Sequence, residues 1–134
     1  MRTLLHTALI AGLLTAPFTP ALAKLETGDA KLARLTAGRT TGKTVDCINT
    51  NFVGNDESEK LPGIGIAYRQ GTTWYVSHFE GGCPQLSDDT IVITKLHGSQ
   101  LCRGDIADLR MSGANIPLGS CIFGDFTPYT KPKG

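Results

Sequence analysis

The clearest pattern of apolar and polar positions lies between Ile64 and Phe79. Ile64, Ile66 and Tyr68 alternate with Gly65, Ala67 and Arg69, Gln70-Gly71 supplies a turn, and Thr72 to Phe79 continues with β-branched and aromatic residues. Period-two alternation around a glycine turn predicts a β-hairpin. In its second strand Trp74, Val76 and His78 fall on one face, and Tyr75, Ser77 and Phe79 on the other. Further short apolar runs predict strands at Thr44 to Thr50, Thr90 to Leu96, Leu101 to Arg103, Ile106 to Met111 and Ser120 to Phe126. Between them, Asn51 to Gly63 and Ser112 to Gly119 read as loops, and Asn55 to Lys60 has no apolar side chain and is expected to be solvated. The Pro/Lys-rich end from Thr127 reads as a loose tail.

Helical spacing occurs once, over Asp29 to Ala37. Thr27 or Asp29 caps its start, Leu32 and Leu35 share a face, and Gly38 ends it. Nine residues do not hold a helix in water, so it must dock through those leucines. Five or six short strands with frequent turns, plus one small helix, give a mainly β fold: a small antiparallel sheet curled into a barrel-like domain. The 16 glycines among 134 residues suit such turns better than a helical bundle.

The chain begins differently. Arg2 precedes a mostly apolar stretch, Leu4 to Leu14, then Pro17 and Pro20, then Ala21-Leu22-Ala23. This is the layout of a secretory signal peptide cleaved after Ala23. The stretch is about half of the ~20 residues needed to span a bilayer, so no membrane span is expected in the mature chain. The resulting organisation is a signal peptide at 1–23, a short helix and linker at 24–43, a β domain at 44–129, and a tail at 130–134.

Export changes the reading of the four cysteines, Cys47, Cys83, Cys102 and Cys121. An even set in an oxidising compartment predicts two disulfides and no free catalytic thiol. The gaps of 36, 19 and 19 positions contain no close cysteine pair of the kind that holds zinc. Four cysteines allow three connectivities, and their spacing does not choose among them.

Charge excludes some classes. Thirteen Lys and Arg against twelve Asp and Glu leave no basic excess, which argues against nucleic-acid binding. No cofactor, metal or catalytic motif is present, so no cofactor is expected. His78 and His97, with Asp88 and Asp89, form the one set that suggests a metal or proton relay. The plainer reading is a strand histidine and a turn histidine beside a solvated acidic turn. Ser77 and His78 are neighbours on a strand and point to opposite faces, so they do not pair as nucleophile and base. Arg103-Gly104-Asp105 matches an integrin-type tripeptide, but it reads more simply as a turn beside a half-cystine. Of the aromatic residues, Trp74 is expected in the core. Tyr75 and Phe79, on the other face, are the candidate binding surface.

Four segments carry a resemblance: Val45-Asp46-Cys47-Ile48, Gly82-Cys83-Pro84-Gln85-Leu86, Gln100-Leu101-Cys102-Arg103-Gly104-Asp105-Ile106 and Gly119-Ser120-Cys121-Ile122-Phe123-Gly124-Asp125-Phe126. Across most of Thr44 to Tyr129 the chain resembles a family of small exported bacterial proteins of unknown function. The resemblance implies no activity. It implies the crossed disulfides Cys47–Cys102 and Cys83–Cys121, and export in a Gram-negative cell with the periplasm as destination. Export, disulfides, near-neutral charge and the absence of catalytic groups lead to the function expected, a non-enzymatic binding or structural domain whose partner is an envelope or secreted protein. The alternatives are a small periplasmic hydrolase using His78 or His97 with an aspartate, and an inhibitor of a secreted enzyme presenting the 112–119 loop.

Overall fold

The computed structural model describes residues 25–50 and 58–134. The expected signal peptide and residues 51–57 of the expected 51–63 loop lie outside them. The helix, α1, runs Gly28–Thr36, one residue earlier than its spacing suggests. Thr27 is its N-cap and accepts the Ala30 N–H at 3.2 Å. Among the described residues nine strands follow: β1 (Thr40–Thr41), β2 (Cys47–Asn49), β3 (Ser58–Leu61), β4 (Gly63–Gln70), β5 (Thr73–Cys83), β6 (Thr90–Thr94), β7 (Gln100–Cys102), β8 (Ile106–Met111) and β9 (Pro117–Thr130). The main sheet is antiparallel, in the order β3-β4-β5-β9-β8-β6, with β1 added to β9. It curls into a half-barrel, and β2 and β7 form a separate pair.

The long strand β9 organises the sheet. Its first half pairs with β8, from Arg110↔Pro117 to Ile106↔Ile122. Its second half pairs with β5, from Phe79↔Phe123 to Thr73↔Thr130. The expected loose tail is therefore strand as far as Thr130. Two neighbours hold it there, since Thr40 and Thr41 pair with Thr130 and Tyr129 on the side away from β5. The expected 112–119 loop is also shorter, because Pro117 to Gly119 already belong to β9.

A strand also lies inside the expected 51–63 loop. β3 pairs with β4 from Ser58↔Tyr68 to Leu61↔Gly65. Its polar sequence hid it, because an edge strand can spend its charged side chains on neighbours. Glu59 pairs with Arg34 of α1 at 3.1 Å. The Lys60 ammonium donates to the carbonyls of Asp88 and Thr90, the latter at 2.7 Å, and so ties one outermost strand to the other. Lys31 of α1 pairs with Asp88 beside this seam. Far from solvated, Lys60 is half-buried, and Leu61 is fully buried.

The sheet buries material on both sides. Inside the curl lie Ile48, Ile66, Tyr68, Phe79, Leu86, Leu101, Leu109, Phe123 and Phe126. Phe79 and Phe123 meet with ring centroids 4.8 Å apart. On the outside, α1 lays Leu32 and Leu35 over Leu61, Ala67, Trp74 and Val76 of β3, β4 and β5. Trp74 is thus core, as expected. Phe79 is not an exposed binding residue: the curl makes the Tyr75, Ser77 and Phe79 face the inner one, and Phe79 is 4% exposed. Tyr75 is half-buried against the same core. Over Trp74 to Ser77 both faces of β5 are taken up by core, and exposure returns only at His78 and at Glu80 to Gly82.

A bulge in β9 sets Gly124 and Asp125 against the single residue His78, between the Ser77↔Phe126 and Phe79↔Phe123 pairs. Glycines admit it. A Cβ at Gly65 would sit 1.9 Å from the Ser77 carbonyl oxygen, and one at Gly124 would sit 2.5 Å from that of His78. The buried Ser77 hydroxyl donates to the Gly124 carbonyl at 3.0 Å.

Both disulfides form, and they are the crossed pair. Cys83–Cys121 joins the end of β5 to β9 inside the core. Cys47–Cys102 joins directly opposed residues of β2 and β7 and is half-buried. Each closes a long loop, of 38 and 55 positions. Bridges of this kind stabilise by about 2–4 kcal/mol. Among the described residues no helix is long and apolar enough to cross a membrane.

Candidate functional site

The outer surface of the sheet is covered over β3, β4 and β5 only. Over β6, β8 and the first half of β9 no element of the described chain lies on it. Parity settles which side chains point outward there. In β6, Thr90 is buried and Val92 packs on the core, so Ile91 and Ile93 face out. In β8, Ala107 and Leu109 are buried, so Ile106, Asp108 and Arg110 face out. In β9, Cys121 is buried, so Ser120 and Ile122 face out.

Strand register arranges these residues in rows. Ile91 lies beside Arg110, which lies beside Pro117. Ile93 lies beside Asp108, which lies beside Ser120. Ile106 lies beside Ile122. The four isoleucines are 40–54% exposed. The register shift between Leu109 and Arg110 keeps Leu118 packed on the core while Pro117 and Ser120 stay beside outward-facing residues of β8. The Ser120 hydroxyl donates to the Asp108 carboxylate, and Arg110 reaches the Asn115 side chain at 3.4 Å.

One end of this face opens into a cleft of about 360 Å³ lined by Lys95, His97, Gly104, Asp105, Ile106, Asp108 and Ser120. It contains the one sequence-derived candidate histidine that meets carboxylates. Their oxygens already serve the fold, however. Asp105 accepts the Cys102 N–H at 2.7 Å, closing the Cys102–Asp105 turn, and Asp108 holds Ser120. Among the described residues neither His97 nor His78 makes a side-chain hydrogen bond. His78 is exposed on β5, on the face that carries Trp74 and Val76, and does not line this cleft. Asp88 is engaged by Lys31, and Asp89 lies by Ser112 in a different depression. Among the described residues no three His, Cys, Asp or Glu side chains gather as a metal site.

Arg103-Gly104-Asp105 is a turn, with the Asp105 N–H donating to the Cys102 carbonyl and Gly104 at φ 87°. Arg103 pairs with Asp125 at 3.2 Å and Glu80 at 3.4 Å, and these carboxylates, Asp125 foremost, raise its pKa above the ordinary value. Both charged members of the tripeptide are therefore occupied. The inhibitor reading rests on a loop reduced to residues 112–116, which Asn115 folds into a tight turn by donating its N–H to the Met111 carbonyl.

The residues missed from sequence are Ile91, Ile93, Ile106 and Ile122. One signal was present: in Thr90-Ile91-Val92-Ile93 both faces of the strand are apolar, a pattern that belongs to strands covered on both sides. Here the second cover is absent among the described residues. No protein-family model, no curated protein and no solved structure matches this chain.

Proposed function

We infer that this chain is an exported, disulfide-stapled β module that works by binding another exported protein through the outer face of β6, β8 and β9. One observation carries the reading: four isoleucines, 40–54% exposed, lie together on one half of a sheet whose other half is covered by α1. Scattered apolar side chains on a surface mean little, but a contiguous apolar patch marks an interaction site. Two disulfides fit an oxidising compartment, and the periplasm is the compartment proposed. The hydrolase alternative retains the cleft holding His97, Asp105, Asp108 and Ser120.

The test is photo-crosslinking in cells, with a reactive side chain at position 93 and a control at position 131, on the helix-covered side. Discrete protein adducts from 93 and none from 131 are expected. Equal background from both would reject the docking face. Ester or amide turnover by the purified protein, lost in His97→Ala, would favour the hydrolase instead.

A further inference from the structure

We propose that the bare face is covered by a second copy of this chain, in a two-fold dimer packed face to face. The proposal rests on the docking reading above and supplies its partner. The argument is the placement of charge. Asp108 and Arg110 stand two residues apart on β8, with opposite sign, at the middle of the patch, and the cross-strand register puts Ile93 beside Asp108 and Ile91 beside Arg110.

An isologous interface must be its own complement. Consider a two-fold axis lying between two such faces and running across the strands, at the level of the Val92↔Leu109 pair. It sets β8 over β8 with direction reversed. Asp108 then meets Arg110 of the second copy, and Arg110 meets its Asp108. By the same operation Ile93 packs on Ile91, and Ile91 on Ile93. Sheets stacked this way are about 10 Å apart with strands nearly aligned, within reach of an Asp–Arg pair. In these two rows each isoleucine finds an isoleucine and each charge its opposite, while Pro117 falls against Ser120. An axis parallel to the strands would instead set like on like, Asp108 on Asp108. The charges therefore choose one of the two face-to-face arrangements.

Within one copy, among the described residues, neither group meets an opposite charge: Asp108 accepts the Ser120 hydroxyl, and Arg110 reaches Asn115. Both side chains are half-buried on the surface and remain available to a partner.

The test is analytical ultracentrifugation of the purified, fully oxidised protein across a dilution series up to about 1 mM. The wild type is expected to show a monomer–dimer equilibrium. Asp108→Arg places two arginines against two arginines across the axis, and Arg110→Asp places aspartates against aspartates. Each variant alone is expected to weaken association about tenfold or more. Mixed in equal amounts, the two are expected to associate with each other, since every contact is then again of opposite sign. The double variant Asp108→Arg with Arg110→Asp is expected to dimerise with itself. Near-UV circular dichroism and the absence of free thiols show that each variant is folded.

A wild type monomeric throughout, or association untouched by either reversal, or failure of the mixed pair to associate, overturns the dimer. Position 93 then separates the two claims. Crosslinks from it to a different protein leave the docking face standing with another occupant, and no crosslinks remove both.

Discussion

The two halves of the outer sheet surface carry similar apolar side chains and meet different fates. Over β3, β4 and β5, Trp74, Val76 and Leu61 are buried under α1. Over β6, β8 and β9, Ile91, Ile93, Ile106 and Ile122 stand in solvent. The first half has its cover attached in the same chain, through Leu32 and Leu35. Among the described residues the second half has none. An apolar side chain under an intrachain helix serves folding, whereas the same chemistry on a bare strand face adds little to monomer stability and is available for association. Exposure thus divides one sheet into a half packed under α1 and a half left uncovered among the described residues, the half proposed above to bind.

The largest expected effect breaks the covered half. Trp74→Ala removes the centre of the α1 contact and should cost about 3–5 kcal/mol by urea unfolding. Ile93→Thr, on the bare half, should stay within about 0.5 kcal/mol in dilute solution. Equal losses at the two positions would erase the distinction.

Next is the link between the halves. Cys83–Cys121 joins the end of β5 to the segment of β9 that pairs with β8. Replacing both cysteines by alanine should cost about 2–5 kcal/mol. The same change at Cys47 and Cys102 should leave the main sheet assembled, because that bridge lies across the β2–β7 pair outside it. Near-UV circular dichroism of the two variants distinguishes these outcomes.

The seam on the other side is weaker. Lys60→Met keeps the aliphatic stem and removes the donors to Asp88 and Thr90. A loss of about 1–3 kcal/mol is expected, with faster amide exchange confined to β3 and β6. Exchange unchanged at β6 would show that Lys60 does not join the two edges.

The smallest effect concerns the shared interior. Burial raises the pKa of the Tyr68 phenol well above its ordinary value of 10.0. The folded state therefore resists its ionisation. The sign follows by linkage. Stability from this group is complete below pH ~10 and is lost as pH rises above that value toward the folded pKa. Tyr68→Phe should flatten the alkaline part of the stability profile without changing the neutral part. An unaltered alkaline slope would assign it to other groups.

Much of this architecture was legible in the sequence. The β4–β5 hairpin showed as alternation, α1 as a capped pair of leucines, and Trp74 as core. What stayed hidden had physical causes. β3 is an edge strand whose Glu59 and Lys60 work by charge, so it carries no apolar alternation. The end of β9 is held by pairing with distant strands, which local composition does not record. Phe79 shares its parity with Tyr75, and parity sorts side chains into two faces without saying which face the curl encloses. The same ambiguity hid the isoleucines: Ile91 and Ile93 look like core until the sheet is seen to leave them outside. The cleft at His97 depends on a turn at Cys102–Asp105 meeting β8 and β9, and no spacing in the sequence encodes that.

The most direct test of the division is urea unfolding at about 1 μM and about 500 μM protein, comparing the wild type with a variant carrying threonine at positions 91, 93, 106 and 122. Threonine keeps the β-branched shape and removes most of the apolar character. The two midpoints should nearly coincide in dilute solution, and only the wild type should gain stability at the higher concentration. A variant already much less stable when dilute, or a wild type indifferent to concentration, would contradict a bare half reserved for a second copy.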